Sequence, residues 1–121
     1  GESLGAAVAI RLGAEGIGSK IVLEAPFTSI RALLLAQYPA EQLDHLITQK
    51  WENHLHIPAL TQPLRIVHGE RDRLVPMAMG EQMFAAAGST DKTFLRIDGK
   101  GHSGLWTVGM QSRLFAFLNR D

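Results

Sequence analysis

Cysteine is absent from the 121 residues, which excludes a disulfide framework, a thiolate nucleophile and a cysteine-ligated metal site. There is no excess charge of either sign. Lysine plus arginine and aspartate plus glutamate number 12 each, and no long run of one sign occurs. Such a chain has no electrostatic footprint for nucleic acid or for an acidic membrane surface. Long hydrophobic runs are missing too. Ala6–Ile10 and Ala32–Ala36 are core-sized pieces, far short of the roughly 18 apolar residues of a membrane span. There are no internal repeats and no low-complexity segments, and nothing here decides the compartment.

What is present is ordinary for a globular protein, 45% hydrophobic and 20% charged. The length allows one domain at most and is enough to bury a real core. After Gly5 the nearly all-apolar stretch Ala6–Ala14 predicts a buried helix, stopped by Gly16 and Gly18. The β-branched Ile21–Val22–Leu23 predicts a buried strand over about 20–25. Ser29 can cap a helix through Ile30–Gln37, ended near Pro39. A second helix is expected from Glu41 to about Trp51, with Leu43, Leu46 and Ile47 on one face.

Leu64–His68 is the next expected strand, and Gly69 marks its end. Pro76 opens a helix that aligns Met79, Met83, Phe84 and Ala87 and stops at Gly88. Thr93–Ile97 is a third strand, with Arg96 suggesting an edge position. A final helix spans roughly 107–118. Strand and helix in alternation predict an α/β fold, with a parallel sheet and right-handed crossovers.

The chemistry falls at the strand ends. Gly1-Glu2-Ser3-Leu4-Gly5 fits the G-x-S-x-G nucleophile elbow, followed at once by a helix. A sharp turn there strains the serine and exposes its hydroxyl, glycines on either side relieve clashes, and the helix N-terminus points N–H groups at developing negative charge. The backbone N–H of Leu4 would be one oxyanion donor. The bland reading of the same pattern is a tight glycine turn before a helix.

A neutral serine hydroxyl needs a base, and the base needs an orienting carboxylate. Asp72 follows the Leu64–His68 strand, and His102 follows Thr93–Ile97. Their order after Ser3, their types and their positions in loops after strands all agree with that requirement.

His68-Gly69-Glu70-Arg71-Asp72-Arg73-Leu74-Val75-Pro76 resembles the acid loop of α/β-hydrolases, and Asp98-Gly99-Lys100-Gly101-His102 resembles their histidine loop. Leu23-Glu24-Ala25-Pro26-Phe27-Thr28-Ser29-Ile30 and Tyr38-Pro39 are similar to the branch holding the BEM46-like hydrolases and the serine aminopeptidase/monoglyceride-lipase group. The resemblance runs the whole length of the chain and implies the C-terminal half of an α/β-hydrolase fold, three-layered αβα.

It also implies a serine hydrolase with Ser3 as nucleophile, His102 as base and Asp72 as orienting acid, without metal or organic cofactor. The implied substrate is a small-molecule acyl ester, thioester or short peptide. A short cap-like segment is expected at about 30–63. The N-terminal half of the domain, with the second oxyanion donor, is expected upstream of Gly1, so the 121 residues alone would be inactive and marginally stable or aggregating. The alternative is a non-catalytic module of the same fold that binds a ligand or partner. A lyase or haloperoxidase variation on the triad is a further one.

Other residues are weighed beside these. Glu24 also ends a strand and is the alternative acid. Glu70 reads as a solvated loop charge, and His68 as a packed, hydrogen-bonded core histidine. His45, His54 and His56 lack a carboxylate pair at metal-ligand spacing. Trp51 could line an acyl pocket or staple its segment to the body. Met77, Met79 and Met83 read as helix core. Leu105 and Trp106, just past His102, are placed to shape the site.

Overall fold

The computed structural model describes residues 1–35, 38–46 (backbone only at 44–46) and 51–120. The strands are β1 (Ile21–Glu24), β2 (Leu64–Gly69) and β3 (Lys92–Ile97). The helices are α1 (Leu4–Ala14), α2 (Ile30–Leu34), α3 (Ala40–Leu46), α4 (Asn53–His56), α5 (Met77–Ala86) and α6 (Val108–Asn119), with a 3₁₀ turn at Ile57–Ala59.

The three strands form a parallel sheet in the order β1-β2-β3. Ile21 lies opposite Leu64 and Glu24 opposite Val67, while Leu64 faces Lys92 and Gly69 faces Ile97. Residues 1–3 extend the sheet along the free edge of β1. Glu2 bridges Glu24 in parallel, Gly1 N donates to Val22 O at 2.8 Å, and Glu24 N donates to Gly1 O at 2.8 Å. The expected edge position of β3 is observed: Arg96 is exposed, and β3 pairs with β2 alone among the described strands.

Alternation along the strands assigns side chains to two layers. Ile21, Leu23, Leu64 and Ile66 pack with Ala6 and Ile10 of α1, Ile57 and Leu60, and Met83 of α5. Val67 and Leu95 face the other way, toward Met110 and Leu114 of α6. Helices thus cover both faces of the sheet, as a parallel sheet requires. A third cluster of Ala7, Ala25, Phe27 and Val75 closes the C-terminal end of the strands, with Ile30, Leu33, Trp51 and Met79 packed on it.

Several expectations change in detail. The helix after Ser3 is buried on one side only: Ala6, Ala7, Ile10 and Gly13 face inward, while Leu4, Val8 and Leu12 lie outward on α1 and are exposed. Ser29 does cap α2, its hydroxyl accepting from Ala32 N at 3.0 Å, but the helix ends at Leu34. The helix expected over 41–51 is found as α3, Ala40–Leu46; Ile47 and residues 48–50 lie outside the described residues. Asn53–Ala59 forms α4 and the 3₁₀ turn, which apolar periodicity did not reveal because so short a piece carries no full repeat.

Gly69 ends β2 where two loops meet. A Cβ there would lie 2.2 Å from Gly101 O and 2.4 Å from Lys100 O, so the position has no room for a side chain. Gly69→Ala is expected to lower stability by about 1–3 kcal/mol or more through overpacking. Thermal melting of Gly69→Ala beside Gly88→Ala, whose Cβ would meet Pro58 O at 2.1 Å, checks it; an unchanged midpoint in either would show that the loops give way freely.

Candidate active site

Ser3 occupies the turn from the segment beside β1 into α1, at φ 50° and ψ −111°. A non-glycine residue at positive φ is strained and persists only where its surroundings hold it. Here Ser3 N donates to Glu24 O at 2.8 Å, Gly5 N to Glu2 O at 2.7 Å, and Ala6 N to Ser3 O at 3.0 Å. A Cβ on Gly1 would lie 2.2 Å from Gly5 O, whereas one on Gly5 would meet nothing within 4 Å. Of the two flanking glycines, only the first is therefore demanded by close approach among the described residues. Leu4 begins α1, and its N–H is one of the first of the helix, which have no acceptor within it.

Asp72 follows β2 in a tight loop. Its side chain is fully buried, so its charge must be met by donors. Oδ1 accepts from Leu74 N at 2.9 Å and Val75 N at 2.7 Å. Oδ2 faces His102 Nδ1 at 2.8 Å. That contact places the Nδ1 proton toward the carboxylate and leaves Nε2 as the free basic nitrogen. His102 itself is partly exposed, with 24% of its side chain accessible. The loop after β2 and the loop after β3 therefore deliver the two residues as a pair. Among the described residues no hydrogen bond joins Ser3 Oγ to His102. Asp72 and His102 lie beyond the C-terminal ends of the neighbouring parallel strands β2 and β3, and Ser3 follows the segment that bridges the other edge of β1.

His68 is a packed core residue, as its position in the strand suggested. Nε2 donates to Val75 O at 2.7 Å, and it stands 3.5 Å from Asp72 Oδ2. Burial pushes its pKa down, outweighing the Val75 carbonyl and Asp72, which favour the cation. Its Nδ1 is buried without a partner among the described residues, and a Cβ on Gly80 would come within 2.3 Å of that atom.

Glu24 is buried at the end of β1. Its backbone holds Gly1 and Ser3 in place, and among the described residues its carboxylate makes no hydrogen bond to His102. Burial first, then the neighbouring Glu2 charge, pushes its pKa up, against the lowering effect of the Trp106 indole. Glu2 and Glu24 line a cavity of about 220 Å³ with Ser103, Gly104, Leu105 and Trp106. Leu105 and Trp106 thus border the elbow, as their place after His102 suggested.

The remaining candidates resolve as structure. Trp51 packs on the cluster of Ala7, Ala25, Phe27 and Val75, stapling its segment to the body. Asn53, which sequence reasoning passed over, is buried and donates to Phe27 O at 2.9 Å. His54 Nδ1 contacts Thr28 O at 3.1 Å, and His56 Nε2 meets Arg11 Nη1 at 3.1 Å. The side chain of His45 lies outside the described residues. No group of three metal-ligating side chains occurs among the described residues. Met83 is core, Met79 packs on the cluster of Ala7, Ala25, Phe27 and Val75, and Met77 is partly buried.

Glu70 is a correction. It is no isolated solvated charge: Oε1 accepts from Gly99 N at 2.8 Å, and Oε2 pairs with Arg96 of β3. Partners 26 and 29 residues away leave no local pattern in the sequence.

Because Glu24 resists ionising in the folded state, the stability its neutral form confers is fully present below its unfolded pKa, near 4.3, and is lost as pH rises through its raised folded value. Glu24→Gln is expected to melt higher than the parent at pH 7 and equally at pH 3.5. A gap of the same size at both pH values would contradict that origin.

A family model described as "Serine aminopeptidase, S33" matches residues 52–106, the span that holds Asp72 and His102. A protein of Mycobacterium tuberculosis is 33% identical over 103 residues, covering 85% of this chain and 36% of that protein. Protein bem46 of Schizosaccharomyces pombe is 31% identical over 99 residues, covering 78% of this chain and 33% of the relative. The chain thus spans about a third of the length of the curated relatives it matches. Among solved structures, the monoacylglycerol lipase of Paleococcus ferrophilus superposes with a TM-score of 0.71 at 15% identity, over 98% of this chain and 66% of the lipase.

Proposed function

We propose, for a chain that resembles the BEM46-like branch of the α/β-hydrolase superfamily, that the whole protein hydrolyses carboxylic esters, thioesters or amides through Ser3, His102 and Asp72. The observation that carries this reading is the 2.8 Å contact of Asp72 Oδ2 with His102 Nδ1, made by a carboxylate whose other oxygen is already taken by two backbone donors. A carboxylate so held cannot swing away, so it fixes the ring's tautomer and supports the imidazolium that forms during reaction. The strained Ser3 at the head of α1 is the matching nucleophile.

In this mechanism His102 Nε2 takes the Ser3 proton as Oγ attacks the substrate carbonyl carbon. The carbonyl oxygen, now negative, receives the Leu4 N–H at the helix N-terminus. His102 returns the proton to the leaving oxygen, sulfur or nitrogen, and an acyl-Ser3 ester remains. Water, deprotonated by the same histidine, releases the acid and restores Ser3.

Similar solved structures include a monoacylglycerol lipase and an esterase domain of a Rhodothermus marinus protein, which favours an ester among the three bond types. Residues 30–63 serve in this reading as a short cap, a role supported by the packing of Leu33 and Trp51 on the cluster of Ala7, Ala25, Phe27 and Val75.

Hydrolysis of p-nitrophenyl acetate and butyrate by the whole protein tests the proposal. An initial burst and steady turnover are expected, with Ser3→Ala removing the burst and Asp72→Asn lowering kcat on the order of 10⁴-fold. Turnover indifferent to Ser3, or none from a folded protein across acyl lengths, would hand the case to a non-catalytic module of the same fold.

A further inference from the structure

The acid loop and the histidine loop are joined by more than the Asp72–His102 contact. Glu70 N donates to Ile97 O at 3.0 Å, and Arg71 N donates to Lys100 O at 2.9 Å. One side chain crosses the same gap. Glu70, directly after β2, accepts the Gly99 N–H through Oε1, while its Oε2 takes Arg96 of β3. Arg96 in turn holds Asp98 Oδ1 at 2.9 Å. Gly99 has a φ of +73°, so it is the left-handed corner at which the histidine loop leaves β3. Glu70 therefore grips that loop at its corner, and Asp72 and His102 follow within a few residues of the two ends of the grip.

We propose that Glu70 is a positioning residue for the Asp72–His102 pair, fixing the Gly99 corner against the acid loop so that His102 Nδ1 stays within hydrogen-bond reach of Asp72. The proposal rests on the hydrolase reading for its effect on rate, though not for its effect on the Asp72–His102 contact.

The chemistry of the grip fits the role. Accepting the Gly99 N–H and pairing with Arg96 hold the Glu70 carboxyl below the usual carboxylate range, so the gripping form persists through neutral pH. Exposed ion pairs of this kind contribute little to global stability. Glu70 is partly accessible and Arg96 is more than half exposed. A small displacement between a base and its orienting acid, by contrast, costs rate heavily. The consequence is a separation of effects: loss of Glu70 is felt in kcat and hardly in melting temperature.

The test compares Glu70→Ala, Glu70→Gln and Arg96→Met in the whole protein, with Ser3→Ala as the reference for serine-dependent turnover. Glu70→Ala is expected to lower kcat about tenfold with KM unchanged and the melting midpoint nearly unmoved. Glu70→Gln, which keeps an oxygen for Gly99 N–H, is expected to restore most of the rate. Arg96→Met is expected to fall between the two.

Independently of activity, the downfield proton NMR signal of His102 Nδ1–H, identified by its loss in Asp72→Asn, should be sharp in the parent and in Glu70→Gln. In Glu70→Ala it should be broadened or lost. An unchanged kcat and a sharp signal in Glu70→Ala would overturn the proposal. So would a rate loss that merely tracks a fall in melting temperature, or one that Glu70→Gln shares in full. Should the parent show no serine-dependent turnover, the hydrolase reading fails on that result, and the Nδ1 signal alone still decides the role of Glu70.

Discussion

Strand β2 is the element on which everything else rests, because it is paired on both edges and covered on both faces. Leu64 and Ile66 lie in one core layer, and Val67 lies in the other. Its two parallel ladders bring the end of β3 level with its own, Ile97 opposite Gly69, and end β1 two residues earlier, Glu24 opposite Val67. Three loops must then leave the sheet along one rim. The spacing of strands, near 4.8 Å, sets how far apart those loops start. Side-chain bonds across the gaps decide the rest.

Along that rim two carboxylates sit at neighbouring strand ends in opposed circumstances. Asp72 is fully enclosed yet met by two backbone N–H groups and an imidazole. Glu24 is enclosed beside another carboxylate, and burial raises its pKa. The same functional group is thus met by donors in one loop and left beside a like charge one strand away. Environment, not residue type, separates the two roles. His68 beneath Asp72 belongs to the same design: burial keeps it neutral, and its ring fastens the Val75 carbonyl that closes the acid loop.

Much of this was legible in the residues. The loop positions of Ser3, Asp72 and His102 could be read because such turns carry glycine and proline marks that survive in a linear text, and the structure brings Asp72 and His102 together. The parallel α/β order followed from the alternation of apolar strands with amphipathic helices. Glu70 was misread because its partners, Arg96 and Gly99, lie in another strand and another loop, and no local spacing records a side chain crossing between loops. The short helix α4 was missed for a related reason. Periodicity cannot register a helix of one turn, and Asn53 is held there by a distant carbonyl of Phe27. Burial of α1 was overstated, since a wholly apolar segment does not reveal which of its sides meets the sheet.

The Nδ1 of His68, without a partner among the described residues and facing Gly80 with no space for so much as a methyl group, has a consequence for how such a sequence can drift. An alanine at 80 is admissible only after the ring at 68 has been exchanged for something smaller. That exchange removes the donor to Val75 O and loosens the turn that presents Asp72. Positions 68 and 80 are therefore tradable as a couple and not one at a time. A histidine kept at 68 calls for glycine at 80 on α5.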